Sequence, residues 1–202
     1  MLEKYLGGFF PSQGACEMVE IKGSAVLDSI TGIKKRDGEA GYNEILTLLD
    51  EDTRKLFQST ISASSWYSLD LFCRFLTVEL NKTAGGKEEV LVGRSEKVVE
   101  RQLRGVYKIF VKIGSPEFLI KRITAVHMTY FNGVALDFKM LGPGSATIRY
   151  SGFEKQHRLI GFTLIGFFRK ALELSGAKDY NVWFTTFIEE EKGYCDLAIS
   201  WK

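Results

Sequence analysis

Residues 132–202, NGVALDFKMLGPGSATIRYSGFEKQHRLIGFTLIGFFRKALELSGAKDYNVWFTTFIEEEKGYCDLAISWK, decide the fold. Leu136, Phe138 and Met140 alternate with Asp137 and Lys139, and Ala146, Ile148 and Tyr150 alternate with Thr147, Arg149 and Ser151. A period of two with one apolar face marks half-buried antiparallel strands. The reversal Leu141-Gly142-Pro143-Gly144 joins them as a hairpin. Residues 156–174 are apolar around most of their circumference, which predicts a buried helix ended by Ser175-Gly176-Ala177. Residues 180–188 carry Val182, Trp183, Phe184 and Phe187 on both faces, which suits a central strand. In the last segment Cys195, Leu197, Ile199 and Trp201 share a face, while Asp196 and Ser200 point away. The order is ββαββ.

Working outward, residues 15–23 read as a short strand, and residues 1–13 as a lead-in without a pattern. Helical spacing then dominates, over 25–35, 42–49, 51–60, 69–82, 88–113 and 116–131. The fifth of these is one helix or two meeting near Gly105. Acidic residues open the third helix after Asp50, where they complement the positive end of a helix. Ser64-Ser65-Trp66-Tyr67-Ser68 breaks the run, and its serines suit a cap for the next helix. Ser115-Pro116 places a cap and a first-turn proline before the sixth helix, which Asn132-Gly133 ends. The expected fold is α+β: an antiparallel sheet of four to five strands packed on a helical layer. Residues 1–202 form a single domain, with 1–131 mostly helical and 132–202 the sheet part.

Composition narrows the function classes. A chain of 202 residues with 45% hydrophobic and 26% charged residues is ordinary globular material. A net charge of +2 gives no argument for nucleic acid. Cys16, Cys73 and Cys195 are far apart and form no CxxC pair, so no metal ribbon or dithiol centre is expected. An odd cysteine count without a signal-like N-terminus suits a reducing, cytoplasmic setting. The most apolar run, 159–168, has about ten residues flanked by charge, against the roughly 20 a bilayer span needs.

The C-terminal unit resembles the ligand-binding superfamily that groups 4-vinyl reductase-type domains, haem-nitric-oxide-binding domains and TRAPP transport-complex subunits. The strand pair, the glycines Gly161 and Gly166 in the helix, the turn Ser175-Gly176-Ala177 and the end Gly193-Tyr194-Cys195-Asp196-Leu197-Ala198-Ile199 carry that likeness. The whole chain is also similar in layout to an uncharacterised bacterial paralogous family of myxobacterial type. Ser65-Trp66-Tyr67, Gly105-Val106-Tyr107, Ser115-Pro116 and Tyr130-Phe131-Asn132-Gly133 carry this second likeness. The superfamily resemblance implies a fold and a pocket. It does not extend to a cofactor: the cysteines of some 4-vinyl reductase-type domains are reduced to Cys195, and no Tyr-x-Ser-x-Arg propionate signature is present. No cofactor and no metal are therefore expected.

The candidate residues each have a plain alternative. Trp66 and Tyr67 line a ligand pocket or staple two helices together. Phe162, Ile165 and Phe168 supply bulk on the apolar helix, lining a pocket, forming a homodimer interface or filling the core. Arg94, Lys97, Arg101, Arg104, Lys108 and Lys112 recur at steps of three or four and form one basic stripe on a continuous helix. No aromatics interleave with it, so an acidic protein partner fits better than nucleic acid. His127 reads as a packed neutral histidine with no second ligand nearby, and His157 as surface. Asp70 and Asp137 are lone carboxylates. There is no G-x-S-x-G, Walker, H-E-x-x-H or G-x-G-x-x-G motif, so no catalytic set is legible. The leading expectation is a non-catalytic cytoplasmic signalling or scaffolding module acting through protein contacts. The alternative is a small-molecule sensor with a hydrophobic pocket for an acyl, aromatic or haem ligand.

Overall fold

The structure is a computed structural model and describes residues 18–104, 115–189 and 192–202. The lead-in over 1–13, Cys16, the motif from Gly105 to Tyr107, and Lys108 and Lys112 of the basic stripe lie outside the described residues. In chain order the elements are β1 (Glu20–Lys22), α1 (Gly23–Leu48), α2 (Glu51–Gln58), β2 (Trp66–Ser68), α3 (Leu69–Ala84), α4 (Val90–Arg104), α5 (Pro116–His127), β3 (Phe131–Asn132), β4 (Ala135–Gly142), β5 (Ser145–Ser151), α6 (Arg158–Leu174), β6 (Asn181–Thr186) and β7 (Tyr194–Ser200). A single 3₁₀ turn, Lys155–His157, leads into α6. The fold is α+β, as expected.

Local chemistry accounts for the helix ends. The Asp50 carboxylate accepts from the Thr53 N–H at 3.0 Å and from its hydroxyl at 2.8 Å, starting α2. The Ser68 hydroxyl accepts from the Leu71 N–H at the start of α3, and Gly85, at φ 59°, ends that helix in the left-handed conformation. The two helices expected over 25–35 and 42–49 are the two limbs of α1, separated at Gly38 (φ 74°, ψ 178°).

The main sheet is antiparallel in the order β4-β5-β7-β6. Ile148 faces Leu197 and Tyr150 faces Cys195 across the β5–β7 pair. The β4–β5 reversal is pinned to the end of β7, where the Trp201 N–H donates to the Gly144 carbonyl at 2.8 Å. A side chain at Gly144 would run into the Trp201 carbonyl. The sequence pattern placed β6 centrally, and the structure puts it at the edge. Val182, Phe184 and Thr186 turn inward, and Trp183 stands outward with 40% of its surface exposed. Its second apolar face comes from that one exposed tryptophan, not from a covering layer.

The strand expected over 15–23 is β1, but the sheet it joins was not legible: β2-β1-β3, antiparallel, with Ile21 opposite both Tyr67 and Phe131. β2 and β3 are two or three residues long, too short for period two to register. The helix expected over 116–131 therefore ends at His127, because Phe131 and Asn132 pair with β1.

The apolar helix α6 is buried as expected. Leu164, Phe168 and Leu172 share one buried cluster with Ile148, Leu197 and Ile199 of the sheet and with Val26, Leu69 and Phe75 of the helical layer. On its other side α6 packs closely on α4. The Ser95 hydroxyl donates to the Thr163 carbonyl at 2.7 Å, and a Cβ at Gly166 would collide with the Val92 carbonyl and lie 2.8 Å from the Ser95 Cβ. Backbone cannot rotate away as a side chain can, so Gly166→Ala should destabilise the fold by roughly 1–3 kcal/mol. Urea unfolding followed by circular dichroism measures this, and an unchanged midpoint would show that the helices separate freely.

Candidate functional site

A cavity of about 890 Å³ lies where α1, α3, α4 and α6 meet the small sheet. Its volume falls within the roughly 300–1,000 Å³ of small-molecule sites. The floor is apolar: Ile33 from α1, Phe72 and Leu76 from α3, Leu91 from α4, and Ile160 and Leu164 from α6. Helical spacing puts these residues there. Phe72 and Leu76 are four apart on α3, as are Ile160 and Leu164 on α6, so each pair points one way.

A buried carboxylate sits in the cavity wall. Glu79, 2% exposed, receives Arg94 Nη1 on both oxygens at 2.7 and 2.5 Å, Arg36 Nη2 at 2.6 Å and the Thr83 hydroxyl at 3.0 Å. Arg94 Nη2 donates to the Thr83 hydroxyl at 2.9 Å. Arg36 comes from α1 and Arg94 from α4, so this one carboxylate of α3 joins three helices. Burial pulls the Arg94 guanidinium down from its ordinary pKa against the pull of the Glu79 charge.

His127, the last residue of α5, lines the cavity too. Its ring stacks on Phe168 at 5.5 Å and meets the edge of Phe167 at 5.1 Å. The Tyr150 hydroxyl lies 3.1 Å from Nδ1 and 3.3 Å from Nε2. Burial pushes the imidazole down to a pKa of about 3 and holds the Tyr150 phenol well above its usual value. Both groups are neutral at pH 7. A neutral imidazole has one N–H and one lone pair, and the Tyr150 hydroxyl, able to donate or accept, lies within reach of both ring nitrogens. The packed neutral histidine expected from the sequence is present, and it also faces a cavity.

The other predicted residues fall differently. From α6 the lining takes Ile160, Thr163, Leu164, Phe167 and Lys170, not Phe162, Ile165 or Phe168. Phe162 stands edge-on to Phe187 at 5.5 Å, and Phe168 fills the core behind His127. Trp66 and Tyr67 sit in β2, outside the lining: Lys22 lies over the Trp66 ring at 4.1 Å, and the Tyr67 hydroxyl accepts from the Ser62 N–H at 2.8 Å. The basic stripe is broken. Arg94 turns inward to Glu79, leaving Lys97 and Arg101 exposed at the cavity mouth, because a buried carboxylate attracts the nearest guanidinium. Arg104 closes α4.

His157 is a correction: it is 2% exposed, not surface. Its Nδ1 accepts the Glu154 N–H at 3.0 Å, so Nε2 carries the proton and donates to Asp70 at 2.6 Å. Asp70 is thus not a lone carboxylate but ties α3 to the start of α6. Sequence offered no signal for this pair, which is 87 residues apart.

No sequence family and no curated protein matches this chain, so the comparisons give the likeness to the myxobacterial family no support. Solved structures do match. The Fe(II) unliganded H-NOX protein from K. algicida aligns with a TM-score of 0.70 at 12% identity, covering 90% of this chain and 96% of that one. The H-NOX protein from S. oneidensis in the Fe(II)NO ligation state aligns at 0.68 and 14%, covering 90% and 99%. A point mutant of the T. tengcongensis H-NOX aligns at 0.64 and 13%, covering 90% and 97%. The fold is that of the H-NOX proteins. Identity this low speaks for the fold alone. The expectation of no cofactor is nevertheless overturned, because the proteins sharing this fold hold Fe(II), and haem distortion has been probed in their family. The residues here fit such a group in two respects: an apolar cavity of sufficient volume and a buried neutral imidazole on its wall. None of the eight tyrosines begins a Tyr-x-Ser-x-Arg sequence; Tyr150 is followed by Ser151-Gly152-Phe153-Glu154, and its hydroxyl is engaged with His127. Among the described residues no helix is long and apolar enough to cross a membrane.

Two outcomes follow from this geometry. Unfolded, His127 takes up a proton near its ordinary pKa of 6.5, whereas folded it refuses one until about 3. The unfolded state therefore binds more protons, and stability falls as pH drops from about 6.5 to about 3, by roughly 1.4 kcal/mol per pH unit. Between pH 7 and 5 the native chain should lose about 2 kcal/mol more than His127→Gln in urea titrations, with His157 common to both. Equal losses would show that His127 is solvated. Glu79→Ala, which leaves two guanidinium groups facing each other, should cost about 3–5 kcal/mol in the same titration.

Proposed function

We propose that this chain is a non-catalytic sensor domain that holds haem in the α1–α3–α4–α6 cavity through His127. The observation that carries the reading is a buried neutral imidazole on the wall of an apolar cavity of about 890 Å³. The H-NOX fold supports it. His127 is the residue that would hold the iron, through a ring nitrogen. Tyr150 holds the imidazole ring by its nitrogen edge and fixes its orientation, as outer partners of metal-bound histidines do. Phe167 and Phe168 wall the ring on two sides and keep water from it. Ile160, Leu164, Leu76 and Leu91 would pack against the apolar body of the haem. Bound there, haem would supply an iron centre able to take a diatomic gas.

Haemin titration of the purified full chain tests this. A Soret band should grow to one equivalent and, after reduction, shift with nitric oxide or carbon monoxide. His127→Ala should change the ligation spectrum, and free imidazole should restore it. The reading fails if haemin gives no saturable band, or if His127→Ala gives the native spectrum while its circular dichroism is unchanged.

A further inference from the structure

The mouth of the cavity is unlike its floor. Six lining residues are cations and four are carboxylates. Three of the carboxylates are engaged elsewhere: Glu79 holds Arg36 and Arg94, Glu96 pairs with Arg169 at 3.3 Å, and Asp28 accepts from the Gln102 amide at 2.5 Å. Of the cations, Lys170 pairs with Glu173 at 2.7 Å. Among the described residues Lys35, on α1, and Lys97 and Arg101, one helical turn apart on α4, have no carboxylate of their own. All three are exposed and line the same cavity. An apolar chamber with uncommitted cations at its entrance matches a molecule with an apolar body and an anionic end. Charge-assisted hydrogen bonds to a carboxylate are the contact these side chains make best, with the guanidinium able to bind both oxygens. A neutral apolar ligand would leave the cations unused, and a small hydrophilic anion would leave the floor wet.

We infer that the ligand of this cavity is an amphiphilic carboxylate, its apolar body on the Ile33–Phe72–Leu164 floor and its charge on Lys35, Lys97 and Arg101 at the α1–α4 rim. This rests on reading the cavity as a ligand site, but not on the ligand being haem. It also supplies an anchor for acidic groups where the Tyr-x-Ser-x-Arg sequence is absent.

Two matched pairs, titrated calorimetrically into the full chain, test it: haemin against its dimethyl ester, and a sixteen-carbon fatty acid against the corresponding alcohol. In at least one pair the acid should bind about tenfold more tightly than its neutral partner, with the gap narrowing in high salt as exposed charges are screened. Lys97→Glu with Arg101→Glu should lower the acid's affinity by about tenfold, and leave the neutral partner's unchanged. Lys139→Glu, on β4 and outside the lining, should change neither. Preference for the fatty acid without a Soret band keeps this inference and ends the haem reading. A Soret band with equal affinities for haemin and its ester, and no acid preference in the acyl pair, does the reverse. Equal affinities within both pairs, or no binding by any probe, overturns the inference.

Discussion

The absence of a side chain at Gly166 is what the rest of the structure depends on. At that point α6 meets the backbone of α4 at Val92, and the Ser95 hydroxyl reaches the Thr163 carbonyl beside it. Two helices that touch through backbone cannot slide or tilt without losing van der Waals contact along their length. The opposite face of α6 is committed to the sheet through Phe168 and Leu172. With α6 clamped on both sides, Leu91, Leu164 and Phe167 come together at the edge of the α4–α6 seam, and the cavity opens where α1 and α3 diverge from it.

The cavity has two polar features with opposite physics. The carboxylate of Glu79 is buried, which is tolerable only because two guanidinium groups and a hydroxyl take up its lone pairs. Such a cluster adds little net stability compared with an apolar filling, but it fixes the register of three helices, since any other arrangement strands a charge. Elsewhere on the wall His127 and Tyr150 solve the same problem by staying neutral. A charged imidazole there would have no counter-ion, whereas a neutral one is accommodated by the Tyr150 hydroxyl and the surrounding rings.

Much of this architecture was legible from periodicity. The β4–β5 hairpin, the apolar α6, the final strand and the acidic start of α2 all follow from local spacing and cap chemistry, which act within a few residues. The likeness to haem-nitric-oxide-binding domains pointed to the fold the structure has. What escaped were features that need a partner distant in sequence. Phe131 and Asn132 look like a helix end until β1 pairs with them. Trp183 reads as core until the strand order leaves it outside. Arg94 reads as one member of a stripe until Glu79, 15 residues earlier, draws it in. His157 and Asp70 have unremarkable neighbours in sequence and become partners only when α6 lands beside α3.

The amino-acid order settled the four strands of the main sheet, most of the helices and that α6 must be buried, because spacing of apolar residues sets which face leaves water. The packing of elements decided which residues surround the cavity, that His127 lies on its wall as a neutral ring, and that Lys97 and Arg101 remain exposed while Arg94 does not. Those outcomes depend on helix–helix distance and strand order. Both are set by long-range steric fit and the cost of burying charge, and neither leaves a periodic trace along the chain.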